Sequence, residues 1–427
     1  MRSFPTLLLC LALSATFGLV GASQTSYADP GNPPQPNGPA GRPAAYPKDP
    51  RHCQTSDCER GGIAPRVPHY LRATTSSHRK WWYDAAPGCR VAKWIQDGPR
   101  GRVRYFVVRT WWRHKGITMD YAHAPKVKQD EPLSDILKQT PGVVAGINGD
   151  FFDIGDSGAP LGLGRARGVG LMHGIDFGWN NAFWIDRKDK PHIDLLHPEA
   201  WIAGHPDIKV SNLNSPQVKP NGIGIYTPRF GSAIGSRWVD GYTRYARVVH
   251  IREGRVMTNT TSFPTGTFKG TYLVARGPEQ RRQLRSLKVG SKLQVGWRLP
   301  EGPAFAITGQ SILLKDGKIL ATDDSELHPR TMVGIDRDAG QIIWVVVDGR
   351  RESTTGFTMV QEARLMKQLG AEDALNLDGG GSSTLVTRQD GRLQVQNTPS
   401  DGQERWIPNG LQVIYKKPKA AGRHHHR

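Results

Sequence analysis

Six consecutive apolar residues, Ile342-Ile343-Trp344-Val345-Val346-Val347, run straight into Asp348-Gly349-Arg350. A strand with water on one face alternates apolar and polar side chains, whereas a strand without alternation is covered on both faces. The chain therefore needs a central sheet with a layer on each side of it. Much of the remaining body reads as short strands separated by turns, in keeping with 49 Gly and 31 Pro in 427 residues. Strands are expected at 143–147, 182–185, 223–226, 247–251, 272–275, 331–335, 374–377, 383–386 and 410–415, among others. Lys315-Asp316-Gly317-Lys318 has the chemistry of an Asp-Gly hairpin. The clearest helix spans 359–369: Thr358 and Gln361 make a capping box, and Gly370 is a stop signal.

Residues 342–382 then read as strand, loop, helix, strand, a βαβ crossover of ordinary length. Such a crossover makes its strands parallel, so both carboxyl ends leave the sheet on one side. That would deliver Asp348 and Asp378 to a common crevice, where ligands of open α/β sheets bind. The expected fold class is α/β (α+β): a strand-rich mixed sheet core with a βαβ unit near the C-terminus.

Two carboxyl groups in one crevice are the usual equipment for cleaving a glycosidic bond. One protonates the leaving oxygen and the other is nucleophile or base. Asp348 and Asp378 are the catalytic candidates, with their roles left open. Asp378 is followed by Gly379, Gly380, Gly381 and Ser382. The glycines cannot block a ligand, and their amides can converge into an anion nest. Arg350 could fork onto a phosphate or carboxylate. A second cluster is Asn148-Gly149-Asp150-Phe151-Phe152-Asp153. Asn148 and Asp150 suit sugar hydroxyls, and Phe151 or Phe152 could stack on a sugar face. The same oxygens could hold a structural calcium ion, although the spacing is not that of an EF-hand loop. No cofactor is required by this chemistry. A third cluster, His328-Pro329-Arg330-Thr331, offers Arg330 as another anion clamp and His328 as a proton donor or a structural residue. A fourth, 397–409, carries Arg405 near Asn409 and by itself reads as a polar loop.

Residues 1–28 read as an export signal: Arg2, an apolar stretch over 7–22, and the small-x-small site Ser26-Tyr27-Ala28. Residues 29–100 are expected to be a disordered Pro/Gly-rich arm and a basic extension, 101–415 the catalytic domain, and 416–427 a basic tail with three histidines. No membrane-spanning segment is expected after cleavage of the signal. Export permits disulfides among Cys53, Cys58 and Cys89, with the pairing left open. The formal charge of +19 suggests an anionic glycan or a cell surface as partner. The absence of any nucleic-acid-binding motif argues against nucleic acid.

Taken in order, these clusters resemble the phosphodiester glycosidase family over roughly residues 140–415. The stretches that carry the resemblance are Ile147 to Phe152, Thr308-Gly309 to Leu313 with Asp316-Gly317, His328 to Thr331, Val347 to Arg350, Gly356-Phe357-Thr358, Asn376 to Ser382, and Asn397 through Arg405 to Asn409. The Asn-Leu-Asp-Gly-Gly-Gly-Ser run is the specific part. The resemblance implies an α/β fold with a mixed sheet and hydrolysis of a sugar-1-phosphodiester. It also implies that Asp348, Arg350, Asp378, Arg330 and Asn148 surround the substrate. Two other readings stand beside it: a glycosidase acting on a polysaccharide without phosphate, and a non-catalytic glycan-binding protein of the cell wall.

Overall fold

The computed structural model describes residues 61–67, 75–176 and 178–418. The expected export signal, most of the Pro/Gly-rich arm with Cys53 and Cys58, and the histidines of the tail lie outside the described residues.

Three sheets make the body. One has eight strands in the order Ser76–Ala86, Cys89–Gly98, Gly101–Trp111, Gln341–Val347, Arg330–Asp336, Asp373–Asn376, Ile312–Lys315 and Lys318–Ile319. A second has five, in the order Arg392–Val395, Leu385–Gln389, Val143–Asn148, Asn409–Tyr415 and Ile117–His123. The third has ten, running from Pro191–Leu195 at one edge to Arg255–Thr260 at the other. The strand Gln341–Val347 is buried on both faces, as its lack of alternation demands. Ile342, Trp344 and Val346 join a cluster with Ile147, Leu385 and Leu411 of the five-stranded sheet and Phe183, Tyr226 and Ile307 of the ten-stranded one. Ile343, Val345 and Val347 pack instead with Met359, Ala363 and Met366 of the helix Met359–Gln368. Each such side chain contributes roughly 1.5–3 kcal/mol of burial, so a charge placed anywhere in this strand would be costly.

The helix starts as its capping box dictates. Thr358 Oγ1 accepts from the Gln361 amide at 3.2 Å, and Gln361 Oε1 accepts from the Thr358 amide at 3.1 Å. The Asp316-Gly317 hairpin is also present, with φ of 48° and 72° at its two central residues. Those positive values are the ones a tight two-residue turn requires.

The βαβ expectation needs correcting. The strands Gln341–Val347 and Asp373–Asn376 do run parallel, but Arg330–Asp336 lies between them and pairs antiparallel with both. The hairpin joining Asp336 to Gln341 gives that slot to the preceding strand before the crossover can claim it. Polarity survives the insertion, so both carboxyl ends still leave the same edge. Antiparallel pairing dominates, and a parallel pair occurs between Asn212–Leu213 and Gly222–Tyr226. The fold is strand-rich, with helices few and short.

The N-terminal part also differs from its expectation. Strands begin at Ser76, and the expected boundary at 100/101 falls in the turn that pairs Gly98 with Gly101. Cys89 is not in a Pro-rich approach. It opens a sheet strand, is fully buried, and among the described residues is a free thiol. Among the described residues no helix is long and apolar enough to cross a membrane.

Candidate functional site

The site forms where the strand ends of the eight- and five-stranded sheets meet, and the loop after Asp373–Asn376 is its centre. The amide of Leu377 donates to Thr331 O and that of Asp378 to Gly149 O, both at 2.9 Å. This stitches the loop to the third and second sequence clusters at once. Asn148 completes the stitching. Its Nδ2 donates to Asp378 O at 2.6 Å, while its Oδ1 accepts from Thr331 Oγ1 at 2.7 Å and from the Thr384 amide at 3.0 Å. Asn148 is fully buried, with both its Nδ2 and its Oδ1 hydrogen-bonded inside the protein. It positions the loop through these hydrogen bonds; burial does not set it apart, since Asp348 and Asp378 are each only 1% exposed. Phe151 and Phe152 are likewise fully buried, so they are core residues rather than sugar-stacking platforms.

The glycine run is partly committed. Gly380 N donates to Pro329 O at 3.0 Å, and Ser382 N closes a short 3-10 turn onto Gly379 O at 3.1 Å. Those two amides are therefore not donors to an anion. What the glycines do instead is admit close neighbours. A Cβ on Gly381 would lie 2.2 Å from both Arg405 Nη2 and Asp401 Oδ2, so only glycine lets that buried ion pair rest against the loop. Arg405, which looked like part of a polar loop, is fully buried, with Nη2 at 2.8 Å from Asp401 Oδ2.

Asp348 leaves its strand beside Arg104, whose Nε donates to its Oδ2 at 2.5 Å. Its Oδ1 accepts from Asn397 Nδ2 at 3.2 Å and from the Thr398 amide at 2.9 Å. Asn397 Nδ2 also donates to Ser383 O at 2.8 Å, which ties the Asp348 side to the Asp378 loop. Arg350 adopts a left-handed backbone, φ 56°. Such a conformation is uncommon for a residue with a Cβ, and it gathers at functional sites. Its Nη2 donates to His328 Nδ1 at 2.6 Å. Because arginine can only donate, His328 must carry its proton on Nε2, which faces Glu326 Oε2 at 2.9 Å. Burial first, then the charges of Arg330 and Arg350, lower the His328 pKa to about 4. At neutral pH it has no second proton to give, which favours the structural reading of this residue. Arg330 lies with Nε 3.0 Å from Glu362 Oε1 and donates to Phe357 O at 3.1 Å.

Asp150 is a further buried acid of the site. Burial drives its pKa well above the ordinary carboxylate value, and the charge of Asp378 adds to the effect. Hydrogen bonds from Thr308 Oγ1 at 2.7 Å and Gly162 N at 3.0 Å oppose it without prevailing. Behind it, His173 Nδ1 meets Gly162 O at 2.9 Å and Tyr121 Oη meets His173 Nε2 at 2.8 Å. The carbonyl can only accept, so His173 donates from Nδ1 and accepts the tyrosine proton at Nε2. Asp153 spends Oδ2 on Ser157 N and Oγ, at 2.9 and 2.7 Å. Among the described residues no group of three or more His, Cys, Asp or Glu could hold a metal ion.

The four sequence clusters thus converge. Sequence reasoning missed Arg104 and Glu362, and it had Thr308 and Asp401 only as members of longer stretches with no role of their own. Arg104 carried a weak signal, a charge recurring with Arg102 at period two just before the apolar run Tyr105 to Val108. A cavity of about 440 Å³ lies elsewhere, between Gln96, Arg100 and the helix residues Gln361 and Arg364, and of the site residues described above only Phe357 lines it.

Comparison with known proteins bears on this constellation. Residues 241–414 match the phosphodiester glycosidase family. The chain resembles that family. The matched span contains Arg330, Asp348, Arg350, Asp378 to Ser382 and Arg405, but not Asn148, Asp150 or Arg104. A mouse N-acetylglucosamine-1-phosphodiester alpha-N-acetylglucosaminidase is 30% identical over 100 residues, 21% of this chain and 19% of that protein. An uncharacterized SPbeta prophage-derived protein, YomE of Bacillus subtilis, is 36% identical over 88 residues, 21% of this chain and 13% of that one. The matches thus span less than a fifth of each curated relative. Among solved structures, a hypothetical protein from Synechocystis superposes with a TM-score of 0.65 at 21% identity, covering 80% of this chain and 64% of that one. A putative exported protein from Burkholderia pseudomallei gives 0.59 at 18% identity, covering 74% of each. These two likenesses are of fold.

Proposed function

We propose that this chain is an exported hydrolase that cuts a glycosyl phosphodiester at the anomeric carbon. The observation that carries the reading is the convergence of four motifs, far apart in sequence, on the Asp378 loop, with arginines packed around it. The family match over 241–414 and the mouse relative's phosphodiester substrate support the same class.

In this reading Asp348 and Asp378 flank the scissile bond. Both oxygens of Asp348 already accept N–H hydrogen bonds, which suits it to act as nucleophile or base and not as proton donor. Asp378 lies within electrostatic reach of Asp150, whose pKa burial raises. Two neighbouring carboxyl groups hold a proton more tightly than one alone, and that proton serves the leaving oxygen through Asp378. Arg330, Arg350 and Arg405 brace the loops around Asp378 and keep their surroundings positive, which favours an anionic substrate. The leader at 1–28 and the net positive charge would send the enzyme outside the cell and toward anionic surfaces.

The test is incubation with a panel of glycosyl-1-phosphodiesters in heavy-oxygen water. Free sugar carrying solvent oxygen is the expected product, and Asp378→Asn should lower turnover by roughly 10²–10⁴ with an unchanged circular dichroism spectrum. Solvent oxygen on the phosphate would overturn the reading. So would full turnover by the Asp378→Asn variant, or sugar release only from phosphate-free polysaccharide.

A further inference from the structure

The positive charge that the motifs bring to the site is largely answered from within. Arg330 has Glu362 at 3.0 Å and Arg405 has Asp401 at 2.8 Å. A different pair of cations stands beside Asp348, on strands outside the family-matched span. Pairing of Cys89–Gly98 with Gly101–Trp111 sets Lys93 opposite Phe106 and Ile95 opposite Arg104. Residues opposite one another, and those two apart, share a face. Pairing of Gly101–Trp111 with Gln341–Val347 sets Val346 opposite Phe106, so Asp348 falls opposite Arg104 on that same face. Lys93 Nζ reaches over the Phe106 ring at 5.6 Å. It makes no hydrogen bond or ion pair among the described residues. Arg104 gives Nε to Asp348, and its Nη groups donate no hydrogen bond among the described residues. One carboxylate thus faces two cations, leaving a surplus positive charge with unspent donors. Neutral donors adjoin it: Asn397 Nδ2 and Thr398 N both reach Asp348 Oδ1.

We propose that Lys93 and Arg104 form the subsite that takes the phosphoryl group of the substrate, so that the N-terminal strands supply the specificity for an anionic leaving group. The inference rests on the glycosyl phosphodiester reading above and names who holds its phosphate. The Lys93 pKa is consistent with a partly desolvated place beside a second cation: burial lowers it first, then Arg104, against the charge of Asp348. A bound phosphoryl oxygen would replace the missing counter-charge with charge-assisted hydrogen bonds.

Lys93→Gln is the primary probe, because Arg104 also braces Asp348. The KM for a glycosyl phosphodiester should rise at least about tenfold, with kcat changed much less, since a charge-assisted hydrogen bond is worth roughly 1.5–3 kcal/mol. The KM for a neutral aryl glycoside of the same sugar should stay within about twofold. Lys93→Arg should restore most of the loss, and binding of inorganic phosphate, measured by calorimetry on the full chain, should weaken in step with Lys93→Gln. Equal changes for charged and neutral substrates, or none for either, would overturn the subsite. If the wild-type protein releases sugar from neither substrate, the phosphodiester reading fails by itself. The phosphate calorimetry then decides the subsite alone: unchanged affinity in Lys93→Gln rejects it, and weakened affinity supports it.

Discussion

Replacing Asn148 by Ala separates an organising residue from a substrate-contacting one. The side chain makes three hydrogen bonds, to Thr331 Oγ1, the Thr384 amide and Asp378 O, and it is fully buried. A buried hydrogen bond contributes a net of about 1 kcal/mol, and a donor or acceptor left orphaned costs roughly 1–3 kcal/mol. Thr331 Oγ1 keeps a contact with Ser383 Oγ at 3.3 Å, but the Thr384 amide and the Asp378 carbonyl lose the partner described here. The sum is a loss of about 3–5 kcal/mol. With an unfolding entropy of roughly 2.1 cal/mol/K per residue and ~340 folded residues, each kcal/mol lowers Tm by about 1.4 °C, so the midpoint should fall by about 4–7 °C. Calorimetry measures this directly, and turnover should drop as well because the Asp378 loop loses its tether. A variant with wild-type stability and a raised KM would refute the reasoning, since that is how a substrate-binding asparagine behaves.

The pH dependence of stability follows from the buried imidazoles. His173 and His328 each have a pKa lowered to about 4, His173 chiefly by burial. Between that value and the unfolded one of about 6.5 the folded state binds fewer protons than the unfolded state. Their contribution is therefore complete above about pH 6.5 and lost as pH falls toward 4, and replacing both by Gln should flatten that limb of a Tm-against-pH plot. Asp150 acts in the opposite sense: its raised pKa costs stability as pH rises above the unfolded carboxylate value, so Asp150→Asn should gain Tm relative to wild type at neutral pH. A loss there would show that the carboxyl, not its shape, is needed. Burial pushes the Cys89 thiol up to about 12. Iodoacetamide should consequently leave the Cys89 peptide unmodified in the native protein and alkylate it after denaturation, as read by peptide mapping.

Local chemistry made certain elements legible. The unbroken apolar run before Asp348 could only be a strand covered on both faces. Thr358 with Gln361 could hardly be anything but a helix start, and Asp316-Gly317 carried its turn type in its side chains. The loops holding Asp348 and Asp378 could be singled out because glycine and acid at a strand end have few uses besides turns and sites. Less was legible in the N-terminal strands. Their charged residues, Arg79, Lys80, Arg90, Lys93 and Arg102, masked the alternation that marks a sheet. In the structure those cations lie exposed or half-buried, while Val91, Phe106 and Val108 fill the core between them.

By itself the sequence determined which residues could be strands, where the capped helix begins, and which acids and glycines were candidates for chemistry. These follow from side-chain volume, polarity and local backbone preference, which act within a few residues. Only the tertiary structure decided that Arg330–Asp336 separates the two acid-bearing strands, that Asn148 is a buried tether, and that Arg104 is the partner of Asp348. Those outcomes depend on strand order and register, and contacts between residues 104 and 348, or 148 and 378, are fixed by how whole sheets pack, which no short stretch of side chains encodes.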